Sequence, residues 1–258
     1  MTQDEGPTLV VPPSLRSGIA SARGECSAGG AHEVPLVRLP TCDAQLVVHV
    51  TPRGAIKASA AGPSTFAKYR LIVPGPFYVQ LVLQPDVARA VFGVPLHELC
   101  DRVVDLEDLW GARAREVLAR VAPLRDRPQA AVLAVEDLLV DRLCEGARAR
   151  GARLARHAAE VLRAHPANVQ RLAGDLGVSE RSLRQAFADH VGTSPKRFAR
   201  IARVRRVVAE AGSASWARLA ADHDFCDQPH LNAEFRALLG VSPGQWVAGR
   251  LPFVRRGG

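Results

Sequence analysis

Six side chains with hydrogen-bonding heads fall in two short stretches, Arg181, Arg184 and Gln185 in the first and Gln228, His230 and Asn232 in the second. An Arg guanidinium can fork onto O6 and N7 of guanine, and a Gln or Asn amide onto N6 and N7 of adenine. The set therefore has the chemistry needed to read base edges in a DNA major groove. The two stretches are copies of one block. VSERSLRQAFADHVGTSPKRF from Val178 aligns with CDQPHLNAEFRALLGVSPGQW from Cys226, and Leu183, Phe187, Gly192, Ser194, Pro195 and Phe198 answer Leu231, Phe235, Gly240, Ser242, Pro243 and Trp246 at an offset of 48. Upstream, Leu172-Ala173 in QRLAGDLG answers Leu219-Ala220 in WARLAADHDF at an offset of 47, so the second turn is one residue longer.

A short apolar helix, a tight turn and a second helix carrying the polar groups make the helix-turn-helix plan, whose second helix can enter the major groove. In the first unit, spanning about 168–191, Leu172, Ala173 and Leu176 face the core. Gly177 supplies a turn of positive φ, and Ser179 caps the next helix. That helix buries Leu183, Ala186, Phe187 and Val191 and leaves Arg181, Ser182, Arg184, Gln185 and Asp189 outside. A merely solvated charged face is the plain alternative for Arg181 and Arg184; their place in the early turns of the second helix favours base reading. In the second unit, about 215–239, Leu219, Ala220, Phe225, Leu231, Phe235 and Leu238 turn inward and Asp227 caps. Gln228, His230, Asn232 and Arg236 are left outward. His230 has no partner at metal-ligand spacing, so a groove or backbone contact is the expectation for it.

Between the units, about 195–211 reads as one long helix with Phe198, Ile201, Val204 and Val208 inward. Such a connector can hold two recognition helices in successive major grooves, roughly 34 Å apart on one face of the duplex. Ser179, Ser182, Lys196, Arg197, Arg200 and Arg236 are expected to meet phosphate, positioning the protein without reading sequence.

Charge supports the same partner. The chain carries 34 Lys and Arg against 26 Asp and Glu, and the excess lies in one half. Residues 147–258 hold 19 against 9, whereas residues 1–146 hold 15 against 17. Five scattered cysteines, Cys26, Cys42, Cys100, Cys144 and Cys226, form no CxxC or Cys/His cluster, which argues against a disulfide scaffold or structural zinc. No leader pattern opens the chain and no stretch approaches 18 apolar residues, so a cytoplasmic protein without a membrane partner is expected.

Residues 1–33 are Gly-, Ala-, Ser- and Pro-rich and read as a mobile arm. Residues 34–146 read as a regulatory domain. Short runs (PLVRLP, QLVVHV, AIKASA, YRLIVPG, FYVQLVLQP) predict strands of a compact sheet or small barrel, followed by helices from Pro85. A second short helix is predicted from Pro95 and another at about 112–122. QAAVLAVEDLLVDRLC after Pro128 predicts one helix with Leu133, Leu138, Leu139 and Leu143 on its apolar face. A linker near 146–151 leads to the DNA-binding domain, 147–258. The fold class is thus α+β: a small β-rich, barrel-like amino-terminal domain with following helices, then an all-α domain of two helix-turn-helix units joined by a long helix.

The pattern LAGDLGVSERSLRQAFADHVGTSPKRFARIARVRRV, followed by WARLAADHDFCDQPHLNAEFRALLGVSPGQW, resembles the DNA-binding domain of the AraC/XylS transcription regulators over residues 168–246. The paired G-x-S-P motifs with aromatic Phe198 and Trp246 carry the resemblance. It implies base-reading positions at Arg181, Arg184 and Gln185 and at Gln228, His230 and Asn232. The chain departs from the family pattern at Asp224, where Gly is usual, at Leu231, where an aromatic is frequent, and at Ala233, where some members carry a basic DNA contact. The resemblance also implies a sequence-specific regulator whose amino-terminal domain binds a small-molecule effector or mediates dimerisation. Its partners would be double-stranded DNA, a second copy of the chain and RNA polymerase, with no cofactor and no catalysis.

Two alternatives belong to other classes. One is a cupin-like enzyme fused to a DNA-binding module, which the isolation of His32, His49 and His97 disfavours. The other is a non-specific chromosomal binder, disfavoured by the outward Gln and Asn side chains. Trp110, Phe77, Tyr78 and His49 are the candidates to line an effector pocket, with core packing as the plainer reading.

Overall fold

The computed structural model describes residues 7–26, 32–146, 150–164 and 168–255. The five predicted runs are strands Val34–Arg38 (β3), Ala44–Val50 (β4), Ile56–Ala61 (β5), Lys68–Ile72 (β6) and Phe77–Leu83 (β7). Along β4 and β7 every second side chain, Leu46, Val48 and Val50 on one and Val79, Leu81 and Leu83 on the other, is buried. This is the period of a strand with one face on a core.

The reading of residues 1–33 as a mobile arm is corrected for residues 8–26. Thr8–Leu9 (β1) and Ile19–Cys26 (β2) are strands, and β2 pairs with β7 along its length. The six-stranded sheet runs β1-β2-β7-β4-β5-β8, antiparallel throughout, with Val103–Asp105 as β8. The second short helix predicted from Pro95 is corrected as well. Only a 3-10 turn, Leu96–Leu99, forms there, and β8 follows before helix Leu106–Trp110 (α2).

Helices Pro85–Phe92 (α1), Ala112–Val121 (α3), Pro128–Ala134 (α4) and Glu136–Gly146 (α5) complete this half. The single helix expected after Pro128 is therefore two, broken at Val135, which is buried. The break turns Leu133 out to 52% exposure, while Leu139 and Leu143 stay buried as expected. Val121, Ala131 and Val135 close over Leu46, Val48, Val79 and Leu81 so tightly that the residual space is about 10 Å³.

A second core gathers Arg150–Ala164 (α6), Val169–Asp175 (α7), Glu180–His190 (α8), Pro195–Ala209 (α9), Trp216–Asp222 (α10), Gln228–Leu239 (α11) and Pro243–Val247 (α12). It does not respect the middle of the sequence. Val37, Cys42 and Tyr69 from the amino-terminal half are buried in it. A three-stranded sheet lies over it, in which β6 pairs antiparallel with β3 and parallel with Val254–Arg255 (β9). Burial there pushes the Cys42 thiol far above its ordinary range, so this residue acts as a small apolar side chain.

Candidate nucleic-acid interface

The duplication seen in the sequence is a duplication of structure, down to individual hydrogen bonds. Asn168 caps α7 and Ser215 caps α10; Ser179 caps α8 and Asp227 caps α11; Ser194 caps α9 and Ser242 caps α12. Each cap oxygen accepts an N–H that the first turn of a helix would leave unmatched. The turn of the first unit is made by Gly177 at φ 64° and that of the second by Asp224 at φ 58°. Asp is among the few side chains that tolerate this left-handed region. Behind the turns, the Val178 N–H donates to the Ala173 carbonyl (3.0 Å), as the Phe225 N–H does to that of Ala220 (2.9 Å). An edge-to-face pair then locks each unit to the helix after it, Phe187 on Phe198 and Phe235 on Trp246. Replacing Ser179 or Asp227 with Ala should cost about 1 kcal/mol each. Chemical denaturation of the two variants measures it.

On this scaffold the inward faces are as the sequence predicts. Leu183, Ala186, Phe187 and Val191 are buried, as are Leu231, Phe235 and Leu238. One residue of the connector is corrected: α9 buries Val207 completely and leaves Val208 only partly covered. The buried positions Phe198, Ile201, Val204 and Val207 step by three, so the covered stripe shifts about 60° per step around a helix of 3.6 residues per turn and winds onto Val207.

The proposed reading residues divide by environment. Arg181, Arg184, Gln185 and Gln228 are exposed, whereas His230 and Asn232 are half-buried. Arg184 pairs with Glu180 one turn back along α8, and the Gln185 amide donates to Asp189 at 3.1 Å. His230 is engaged with its own unit. Its Nδ1 accepts the Cys226 N–H at 3.3 Å, its Nε2 stands 3.9 Å from Glu234, and its ring meets Phe225 edge-on.

The proposed phosphate set divides too. Ser179, Ser182, Lys196 and Arg236 are exposed. Arg200 instead ties α9 to α11 through Glu234 at 2.8 Å, and Arg197 lies over the Phe66 ring at 5.0 Å. Further along α9, Arg203 donates to the Asp224 carbonyl and covers the Phe225 ring, Arg205 donates to the Pro40 carbonyl, and Arg206 to that of Ala164. Much of the basic charge on the connector thus holds the two units and the amino-terminal half in place. Sequence reasoning missed this because every acceptor is a distant backbone carbonyl or carboxylate.

Of the four candidates for an effector pocket, Trp110 borders a cleft. Its walls also include Arg113, Glu116, Leu133, Glu136, Leu138 and Arg142, around about 600 Å³. Phe77 is buried in the sheet, and Tyr78 stands opposite His49 in the β4–β7 ladder. Among the described residues no group of three or more His, Cys, Asp or Glu could hold a metal ion, and no helix is long and apolar enough to cross a membrane.

Residues 172–249 match a family model described as a helix-turn-helix domain. Several solved structures are similar. An AraC-type DNA-binding-domain regulator from Chromobacterium violaceum shares 23% identity over 38% of this chain and 92% of its own, with TM-score 0.36. The C-terminal domain of AraT, a response regulator from Geobacillus stearothermophilus, shares 20% over 40% and 91%, with TM-score 0.37. ToxT from Vibrio cholerae shares 8% over 88% and 97%, with TM-score 0.42. Comparison with curated protein sequences gave no match. The twofold-repeated caps, turns and aromatic locks of residues 172–249 are those of the helix-turn-helix domain whose family model this segment matches.

Proposed function

We propose that this protein is a sequence-specific transcription regulator that reads two adjacent major grooves with α8 and α11. The observation that carries this reading is the structural repeat of a capped recognition helix on one stiff connector. One chain thereby supplies what a helix-turn-helix protein otherwise obtains by pairing with a second copy. A 15-residue helix such as α9 extends about 22 Å, which suits a spine between two grooves.

Arg181, Arg184 and Gln185 are the base readers of the first unit, Gln228 and Asn232 those of the second. His230 acts from its place beside Asp227 at the start of α11. Ser179, Ser182, Lys196 and Arg236 meet phosphate, joined by Arg197 and Arg200 to the extent that their internal partners release them. The Arg184–Glu180 pair is no obstacle, because an exposed i,i+4 pair is worth only about 0.3–0.5 kcal/mol, less than a bidentate contact to guanine. Residues 34–146 form the modulating part, together with β1 and β2, and the Trp110 cleft is the place for a small effector with an apolar body. The same half would carry any contact to a second copy or to RNA polymerase.

The test is base preference. Arg184→Ala should cost about 1–3 kcal/mol on the preferred site and relax discrimination at one base pair. An equal loss on all sequences would remove Arg184 from the reading set. Lys196→Ala should weaken binding to every sequence alike and reduce the salt dependence.

A further inference from the structure

The carboxyl ends of both recognition helices rest on one short segment of the amino-terminal half, Pro63–Tyr69. At the first helix, Gly192 closes α8 at φ 80°, and a Cβ there would lie 2.8 Å from Pro63 and 2.6 Å from the Leu96 carbonyl. Only a glycine lets the backbones approach so closely. At the second helix, the Ala67 N–H donates to the Leu238 carbonyl at 2.8 Å and the Tyr69 hydroxyl to the Leu239 carbonyl at 2.7 Å. Both are last-turn carbonyls of α11, which the helix itself cannot satisfy. Tyr69 is buried, and burial pushes its phenol up to about 12, so the hydroxyl remains a donor.

The segment between these two grips is braced at nearly every residue. Ser64 exchanges two backbone hydrogen bonds with Thr41, each 2.8 Å. Thr65 gives its N–H and its hydroxyl to the two oxygens of Asp101, at 2.6 and 2.5 Å, and the Asp101 N–H returns to the Pro63 carbonyl at 2.7 Å. Asp101 holds φ 59°, a left-handed conformation that costs energy in any residue with a side chain. Phe66 lies under Arg197 at the start of α9. A second tie runs along the face of α8, where Gln185 is bonded to Asp189 and Asp189 to Arg89 of α1 at 3.0 Å.

We propose that Pro63–Tyr69, braced by Asp101, is a spacing gauge that fixes the separation of the two recognition helices. Thr65, Tyr69 and Asp101 are on this view positioning residues for DNA recognition, although they lie outside the DNA-binding segment. The proposal rests on the regulator reading above. The connector α9 leaves from the carboxyl end of α8 and meets α11 through the Arg200–Glu234 pair, and ties made by one helix leave relative tilt adjustable. Contacts at both carboxyl ends, made by one rigid strand entry, remove that freedom. The amino-terminal half then takes part in every reading event, and whatever moves this segment changes which spacing is read.

The experiment uses the full chain and its variants Tyr69→Phe and Asp101→Gly. Tyr69→Phe removes one oxygen, and Asp101→Gly removes the carboxylate without adding backbone strain. Thermal melts establish that each is folded. Each protein is titrated against duplexes carrying both selected elements at the preferred spacing, both elements moved apart or together by one and two base pairs, and one element alone. Wild type should discriminate sharply by spacing. The variants should lose about 3- to 10-fold of that discrimination, the equivalent of one buried hydrogen bond, while their affinity for the single element stays at the wild-type value. A variant with an unchanged spacing profile overturns the gauge and leaves the regulator reading intact. Equal losses on single and paired elements also overturn it, since the residues would then serve stability alone. A wild type with no preferred site overturns both.

Discussion

Phe235→Ala should destabilise the protein by about 3–5 kcal/mol and abolish reading by the second unit. The Phe235 side chain is fully buried at the centre of that unit, with Trp216 edge-on at 5.8 Å and Trp246 at 6.3 Å. Truncation removes the transfer free energy of a ring and leaves a space that two Trp rings, each anchored on its own short helix, cannot collapse to fill. The cost therefore belongs at the upper part of the range for aromatic truncation. The same face of α11 that carries Phe235 carries Leu231 and Leu238, so loss of the ring also loosens the helix that presents Gln228 and Asn232. Denaturant unfolding measures the stability, and footprinting on a selected site measures the second element. A loss below about 1 kcal/mol would mean that the aromatic lock does not organise the unit.

Arg156→Ala should cost a comparable amount, about 3–5 kcal/mol, by a different mechanism. Asp86 on α1 is only 5% exposed, and its Oδ2 receives Arg156 from α6 at 3.0 Å. Arg156 also donates to the Ser17 carbonyl and pairs with Glu160. Burial opposes the charge on the guanidinium, and its bonds to Asp86 and Glu160 more than offset this, raising Arg156 above the ordinary arginine range. Removing Arg156 strands a charge in the contact between the two halves, and the uncompensated carboxylate is what costs the energy. The double variant Asp86→Ala/Arg156→Ala should accordingly be more stable than Arg156→Ala alone, since nothing charged is then left inside. Unfolding of both variants decides it. A double variant that is worse than the single one would show that packing, and not charge, dominates the contact.

The helix-turn-helix half was legible because its determinants are local. Caps, the Gly177 turn, the G-x-S-P motifs and the 3.6-residue stripe each sit within a few residues of what they specify, and the 48-residue repeat gives each of them twice. Asp224 in place of glycine was legible too, since the side chain that tolerates φ 58° is one of few.

What the sequence hid lies in contacts across long separations. Strand β2, IASARGEC, looks like linker because it is built of small residues. It needs them: a Cβ on Gly24 would lie 2.8 Å from Leu9 and 2.9 Å from the Tyr78 carbonyl. The break at Val135 has no Gly or Pro to announce it and arises where that side chain docks on the sheet. Arg200 looked like a free polar group, and its partner Glu234, 34 residues on, depends on how α9 and α11 cross. The bond from Tyr69 to Leu239 joins residues 170 positions apart, which no periodicity encodes.

Selection of bound duplexes from a random pool by the full-length protein, at physiological salt, bears most directly on whether α8 and α11 read one DNA together. The enriched sequences should contain two distinct elements with centres about 10 to 10.5 base pairs apart, one altered by Arg184→Ala and the other by Gln228→Ala. A pool that enriches a single element sensitive to one helix only, or none above random, would contradict it.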